Sequence, residues 1–231
     1  MTTLPTDKTN PNDPYWKAYK PGHHWRSADD EFDGAKFGMW LFLATEILLF
    51  SGMFVAYFVL RMWYPEQFYQ ASRYYLDWEV GAINTVVLLV SSFTVAMAVR
   101  NAQLGQQIQL RINLAISILC GVLFLVLKLW LEYFPKIQKG EVPGGNFAYA
   151  GSHGFEPSAY DPVFLAVYWV ATAIHGFHVL VGAGLLAWVL WRAFRLHFGP
   201  NHYTAVENVG LYWHLVDLIW IFLFPLLYLV P

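Results

Sequence analysis

Five long stretches of apolar residues limit what this chain can fold into. They lie at residues 36–62, 80–100, 111–134, 162–192 and 205–230. A helix needs about 20 apolar residues to cross the hydrocarbon of a bilayer. A backbone in hydrocarbon must satisfy its own hydrogen bonds, so runs of this length form helices. We therefore predict an all-α integral membrane bundle of five transmembrane helices at residues 35–231, after a polar cytoplasmic N-terminal tail at residues 1–34.

The charge content agrees with a membrane protein. Charged residues make up only 13% of the chain, whereas soluble domains carry about 25%. The net charge of −2 provides no basic surface for a nucleic acid, so we expect no such partner. The 11 Trp residues are typical of side chains that settle at a membrane–water interface.

The distribution of Lys and Arg predicts the orientation, because cytoplasmic segments carry an excess of both. With the N-terminus in the cytoplasm, that side holds nine basic residues: Lys8, Lys17, Lys20, Arg26, Lys36, Arg100, Arg111, Arg192 and Arg195. The opposite side holds four: Arg61, Arg73, Lys136 and Lys139. We therefore predict a cytoplasmic N-terminus and a periplasmic C-terminus.

Ionisable residues inside the spans are the candidate functional residues, because such groups are costly in a membrane and face the bundle interior. Glu46 lies near the middle of the first span with no base three or four residues away. It must be neutral, solvated by water or paired across helices. Its functional interpretations are proton handling and contact with a partner subunit, and the structural alternative is an acid bonded to a neighbouring helix.

Three further pairs of polar residues have a spacing that places both members on one face of a helix. Lys128 and Glu132 are four residues apart in the third span, which favours a structural ion pair, although both could also extend to the interface. His175 and His178, and likewise His214 and Asp217, are three residues apart. If their faces meet, they could bind a metal or a haem. The alternative is a hydrogen-bond network between helices.

Several segments in order match one known family. Residues 212–220, Tyr-Trp-His-Leu-Val-Asp-Leu-Ile-Trp, fit its Trp-His-x-Val-Asp-x-x-Trp signature. Residues 171–179 resemble Ala-Thr-Gly-Phe-His-Gly-x-His-Val, residues 38–52 resemble a helix with a buried glutamate, and residues 128–133 end in the expected Glu-Tyr. Over residues 36–231 the chain resembles subunit III of haem–copper terminal oxidases, in its short five-helix bacterial form.

The resemblance implies a supporting subunit of an oxygen-reducing, proton-translocating enzyme complex. This chain would carry no catalytic residue, no metal and no redox centre, because haem and copper in the family belong to subunits I and II. It would pack on subunit I, bind phospholipid, and sustain proton uptake and stability during turnover. The expected partners are subunits I and II, with further small subunits or a respiratory supercomplex as additional candidates.

The resemblance also implies roles for individual residues. Glu46 matches a buried acid that faces subunit I, and Arg192 matches a basic residue that holds a lipid phosphate. His23 and His24 resemble a lipid-associated His-His pair. The remaining polar residues in the spans would form a structural network: His175, His178, His214, Asp217, Lys128 and Glu132.

Other members of the family have seven helices, and the first two are missing here, which suggests a bacterial inner membrane. We favour a cytochrome c oxidase over a quinol oxidase. Two further hypotheses stay open: an accessory subunit of a nitric oxide reductase, and a membrane electron carrier whose haem is bound by His175, His178 and His214.

Overall fold

The computed structural model describes residues 15–17, 22–23, 25–143 and 161–229. Its α-helices are α1 (Ala28–Trp63), α2 (Pro65–Tyr75), α3 (Trp78–Gln103), α4 (Gln107–Leu127), α5 (Phe134–Gln138), α6 (Asp161–Phe194) and α7 (Thr204–Tyr228). A π-helical segment, Lys128–Tyr133, joins α4 to α5. In these ranges the only β-type pairing is an isolated bridge between Gly199 and His202.

The expectation of five membrane-spanning helices is confirmed. Within the described ranges, five helical stretches are long and apolar enough to cross a bilayer: residues 28–63, 78–103, 107–138, 162–194 and 204–228. The first begins eight residues before the predicted 36, so it includes residues 28–34 of the predicted tail. Ser27 caps it by accepting a 3.1 Å hydrogen bond from the Asp30 amide, and acidic residues fill its first turn.

The segment after the first span is a further helix, α2. Pro65 opens α2 at its first turn, a position where the missing amide hydrogen costs nothing. Ser72 of α2 donates a 2.6 Å hydrogen bond to the carbonyl of Leu227, and Tyr57 of α1 donates one to the carbonyl of Leu226. These carbonyls lie in the last turn of α7, where the helix itself supplies no donors.

Helices α1 and α7 begin at the same end of the bundle. Lys36 and Glu207 form a 2.7 Å salt bridge there, and the rings of Phe32 and Tyr203 lie 5.5 Å apart. We call this the proximal end, and the end that holds Tyr228 the distal end. Assigning the proximal end to the cytoplasm stays a prediction.

Trp213 of α7 sets the spacing of the central helices. Its side chain is fully buried. Gly121 of α4 and Gly182 of α6 face its ring so closely that a Cβ would lie 2.6 and 2.7 Å away, respectively. Small residues at these two points therefore let α4 and α6 pack on α7. This packing brings the polar residues that follow Trp213 into the bundle interior.

Candidate functional site

Glu46 of α1 pairs with His178 of α6 across the bundle. The Oε2 atom of Glu46 lies 2.9 Å from Nε2 of His178, and both side chains are mostly buried. The other ring nitrogen of His178, Nδ1, lies 2.7 Å from the carbonyl oxygen of Ile174. Glu46 is therefore paired across helices, which is one of the options that its sequence left open.

His178 forms a hydrogen bond through each of its two ring nitrogens. A carbonyl oxygen can only accept, so Nδ1 carries a hydrogen. Nε2 and the Glu46 oxygen cannot approach to 2.9 Å as two bare acceptors, so one further hydrogen lies between them. The carboxyl and the imidazole are therefore joined by a hydrogen bond, in contact with Phe50 and Phe177.

A second cluster of ionisable groups is buried near the distal end. Lys128 and Glu132 form an ion pair of 2.6 Å and are 4% and 1% exposed, so neither side chain extends to the interface. The same Glu132 oxygen accepts 2.5 Å hydrogen bonds from the hydroxyls of Tyr168 on α6 and Tyr228 on α7. Lys128 also donates to the Tyr228 hydroxyl. We call these four residues the distal cluster.

The local backbone explains how both charges reach the interior. Pro135 lacks an amide hydrogen, so it interrupts the backbone hydrogen bonds of the helix just after Tyr133. The backbone adopts a π-helical turn at Lys128–Tyr133, immediately before this interruption. Aromatic rings surround the Lys128 ammonium, with the centroids of Tyr168 and Trp220 at 4.9 and 5.1 Å. Ring faces attract cations, so this cage offsets part of the cost of burying the charge.

Hydroxyl-bearing residues of α3 and α4 hold the middle of α7. Ser92 Oγ lies 2.7 Å from Nδ1 of His214, and the indole nitrogen of Trp213 donates a 2.9 Å hydrogen bond to Ser91. Thr94 and Ser117 share a 2.7 Å hydrogen bond. These contacts join three helices in the part of the bundle nearer the proximal end.

The histidines do not converge, contrary to the metal-binding alternative. His178 bonds Glu46, His214 bonds Ser92, and His175 packs between the rings of Phe124 and Trp220. Among the residues described, no group of three or more His, Cys, Asp or Glu could hold a metal ion. The faces diverge because α6 presents His178 to α1 and His175 to α4 and α7.

Arg192 lies at the proximal end of α6, in its last turn, and its lipid-binding role stays a prediction. Its guanidinium lies 5.0 and 5.2 Å from the ring centroids of Trp188 and Phe198. Burial lowers the pKa of His202 in the following loop, and the positive charge of Arg192 lowers this pKa further. His23 is exposed and His24 lies outside the described residues, so the lipid-associated role of that pair stays a prediction.

Three side chains of these sites could not be recognised from the sequence. Tyr168 and Tyr228 complete the distal cluster, and Arg111 donates a 3.2 Å hydrogen bond from Nε to the carbonyl of Ala193, beside Arg192. An aromatic residue in an apolar helix does not by itself indicate a polar contact, because most such residues only pack against their neighbours. The position of Arg111 opposite α6 depends on how two helices pack.

Comparisons with known proteins agree with this architecture. The family model "Cytochrome c oxidase subunit III" matches residues 17–230. Cytochrome c oxidase subunit 3 of Pisaster ochraceus is 31% identical over 205 residues, covering 85% of this chain and 70% of the relative. The proteins of that name from Gallus gallus and Cyprinus carpio are 31% and 32% identical over 216 residues, covering 90% of this chain and 72% of each relative. The chain belongs to the cytochrome c oxidase subunit III family.

Proposed function

We propose that this chain is a non-catalytic supporting subunit of a cytochrome c oxidase, packed on subunit I. The observation that carries the proposal is the family match over residues 17–230 together with buried polar side chains that bond one another. The name shared by the relatives favours cytochrome c as the electron donor over a quinol. Location in a bacterial inner membrane stays a prediction.

Helix α1 supplies the surface for subunit I in this proposal. Only 17% of the residues in its apolar window are buried, against 28–44% in the other four spans. A groove of about 520 Å³ between α1 and α7 is lined mainly by apolar side chains, among them Trp40, Phe50 and Phe222. An apolar face this open suits a neighbouring membrane subunit. Glu46 lies on the same helix, which supports its assignment as the acid near subunit I.

The Glu46–His178 pair supports a role in proton uptake, because it places a carboxyl and an imidazole, both groups that exchange protons, in hydrogen-bond contact within the bundle. Glu46→Gln tests this role without breaking the pair, since the amide of Gln donates a hydrogen bond to Nε2 but does not release a proton. We expect the complex to assemble with oxygen reduction retained, and the rate of proton uptake during turnover to fall, but by less than about 100-fold, the lower end of general acid–base effects.

The measurement is proton uptake and oxygen consumption of the tagged, purified complex reconstituted in vesicles. Gln103→Ala, an exposed change at the end of α3 and outside the groove, is the control. Loss of oxygen reduction in a fully assembled Glu46→Gln complex would contradict the supporting role. Unchanged proton uptake would remove Glu46 from proton handling.

We also propose that the proximal end binds the phosphate of a phospholipid through Arg192. Arg111 and Arg195 lie beside it, and the Arg195 guanidinium is 4.1 Å from the ring centroid of Trp191. No salt bridge neutralises Arg192 within the described part of the chain. Guanidinium groups bind phosphate through paired hydrogen bonds, and basic residues at the interface attract anionic headgroups.

Arg192→Ala is expected to lower the phospholipid retained by the purified complex by about one molecule, because one headgroup loses its principal cation. Quantitative lipid mass spectrometry of the purified complex measures this ratio. Arg100→Ala removes an exposed arginine from the same end and should leave the ratio unchanged. An equal lipid content in both variants would refute the assignment of Arg192.

A further inference from the structure

Three buried polar residues lie between the distal cluster and the Ser92–His214 bond without partners of their own. Asn84 and His175 are 0% exposed, and Asp217 is 3% exposed. None of their six side-chain nitrogen and oxygen atoms has a hydrogen-bond partner in the described part of the chain. The hydroxyl of Ser92, whose 2.7 Å hydrogen bond is to His214, is also within reach of one Asp217 oxygen, so it can satisfy at most one of the acceptors of that carboxyl. We call Asn84, His175 and Asp217 the middle layer.

Trp220 relates the members of the middle layer to one another, through contact with His175, through a bond to the residue after Asn84, and through its place on the helix of Asp217. The ring of His175 lies 5.0 Å from that of Trp220. Thr85, next to Asn84, accepts a 3.0 Å hydrogen bond from the indole nitrogen. Asp217 lies one helical turn before Trp220 on α7. The layer therefore lies between α3, α6 and α7, with Phe124 of α4 closing its fourth side.

Buried polar groups in native proteins almost always have a hydrogen-bond partner. A partner subunit cannot reach side chains that are at most 3% exposed. The group must therefore be small enough to enter the bundle, and it must both donate and accept, because the layer contains an amide, an imidazole and a carboxyl. Water meets these requirements, and a buried water commonly has about three polar partners.

We propose that ordered water molecules are bound in the middle layer, bridging Asn84, His175 and Asp217. The waters extend toward the distal cluster, where Oε1 of Glu132 is buried and has no partner among the described residues. On the other side they reach Asp217 and so the Ser92–His214 bond. The bundle interior then contains a hydrogen-bonded seam that joins both clusters. This inference depends on the fold and not on the proposed function.

Radiolytic footprinting of the tagged, purified complex in ¹⁸O-labelled water tests the proposal. X-rays generate hydroxyl radicals from bound water in place, and these oxidise adjacent rings. We expect Trp220 and Phe124, which border the layer, to be oxidised several-fold more than Phe68 and Phe164. All four side chains are 0% exposed, and Phe68 and Phe164 pack on each other away from the layer.

Asn84→Leu removes one polar partner and adds apolar volume, so oxidation of Trp220 and Phe124 should fall toward the level of Phe68. Equal oxidation of all four rings in the unmodified complex would overturn the proposal. So would unchanged oxidation of Trp220 and Phe124 in an assembled Asn84→Leu complex. If that variant does not assemble, the comparison of the four rings in the unmodified complex decides the question alone.

Discussion

Glu132→Ala is expected to lower the free energy of unfolding of the membrane domain by about 3–5 kcal/mol, the usual cost of leaving one member of a buried ion pair alone. The substitution leaves the Lys128 ammonium without its carboxylate. It also leaves the hydroxyls of Tyr168 and Tyr228 without their acceptor. A loss of this size is a large fraction of the stability of most domains. The measurement is thermal unfolding of the purified complex, together with the yield of complex containing this chain.

The double variant Lys128→Met with Glu132→Gln separates charge from packing. It carries no charge at positions 128 and 132, and the Gln carbonyl oxygen still accepts from the two tyrosines. We expect it to be more stable than Glu132→Ala alone. Lys139→Ala, an exposed cation at the same end, serves as the control and should change stability by less than about 0.5 kcal/mol. If Glu132→Ala is no worse than Lys139→Ala, the distal cluster does not stabilise the bundle.

His178→Leu is expected to reduce assembly strongly, because it leaves the Glu46 carboxyl at membrane depth without its partner. An unpaired buried group of this kind costs about 1–3 kcal/mol or more. Leu180, two residues further along α6, is exposed, so Leu180→Ala is a control for a change on the same helix. Yield and thermal stability of the complex are again the measured quantities.

The coupling between the two residues is the sharper test. In the double variant Glu46→Leu with His178→Leu no polar group is left alone, so the two losses should not add. We expect the double variant to lose less unfolding free energy than the two single variants lose together. The difference should be at least about 0.5 kcal/mol, which exceeds the usual error of additivity. Additive losses would mean that the 2.9 Å contact contributes nothing to stability.

Local patterns in the sequence predicted a part of this structure. The lengths of the apolar runs predicted five spans, because a bilayer of fixed thickness demands them. The spacing of Lys128 and Glu132 predicted their contact, because residues four apart share one helix face. The early start of α1 could also have been predicted: Ser27 followed by Asp30 is a capping signal, which a search for apolar residues passes over.

Contacts between distant residues could not be predicted in this way. Glu46 and His178 are 132 residues apart in sequence, and their pairing depends on how α1 lies against α6. The π-helical turn and the place of Tyr228 in the distal cluster depend likewise on three helices packing together. The same limitation left a metal site open for His175, His178 and His214 until their separate neighbours were known.

The buried His, Asp and Glu side chains join helices to one another, and we predict that they hold no cofactor. The most direct test is the iron and copper content per complex, purified through a tag on this chain, before and after His175→Gln, His178→Gln and His214→Gln are introduced one at a time. We predict the same metal-to-protein ratio and the same visible spectrum in every variant that assembles. The loss of one equivalent of iron or copper from an assembled variant would contradict the claim.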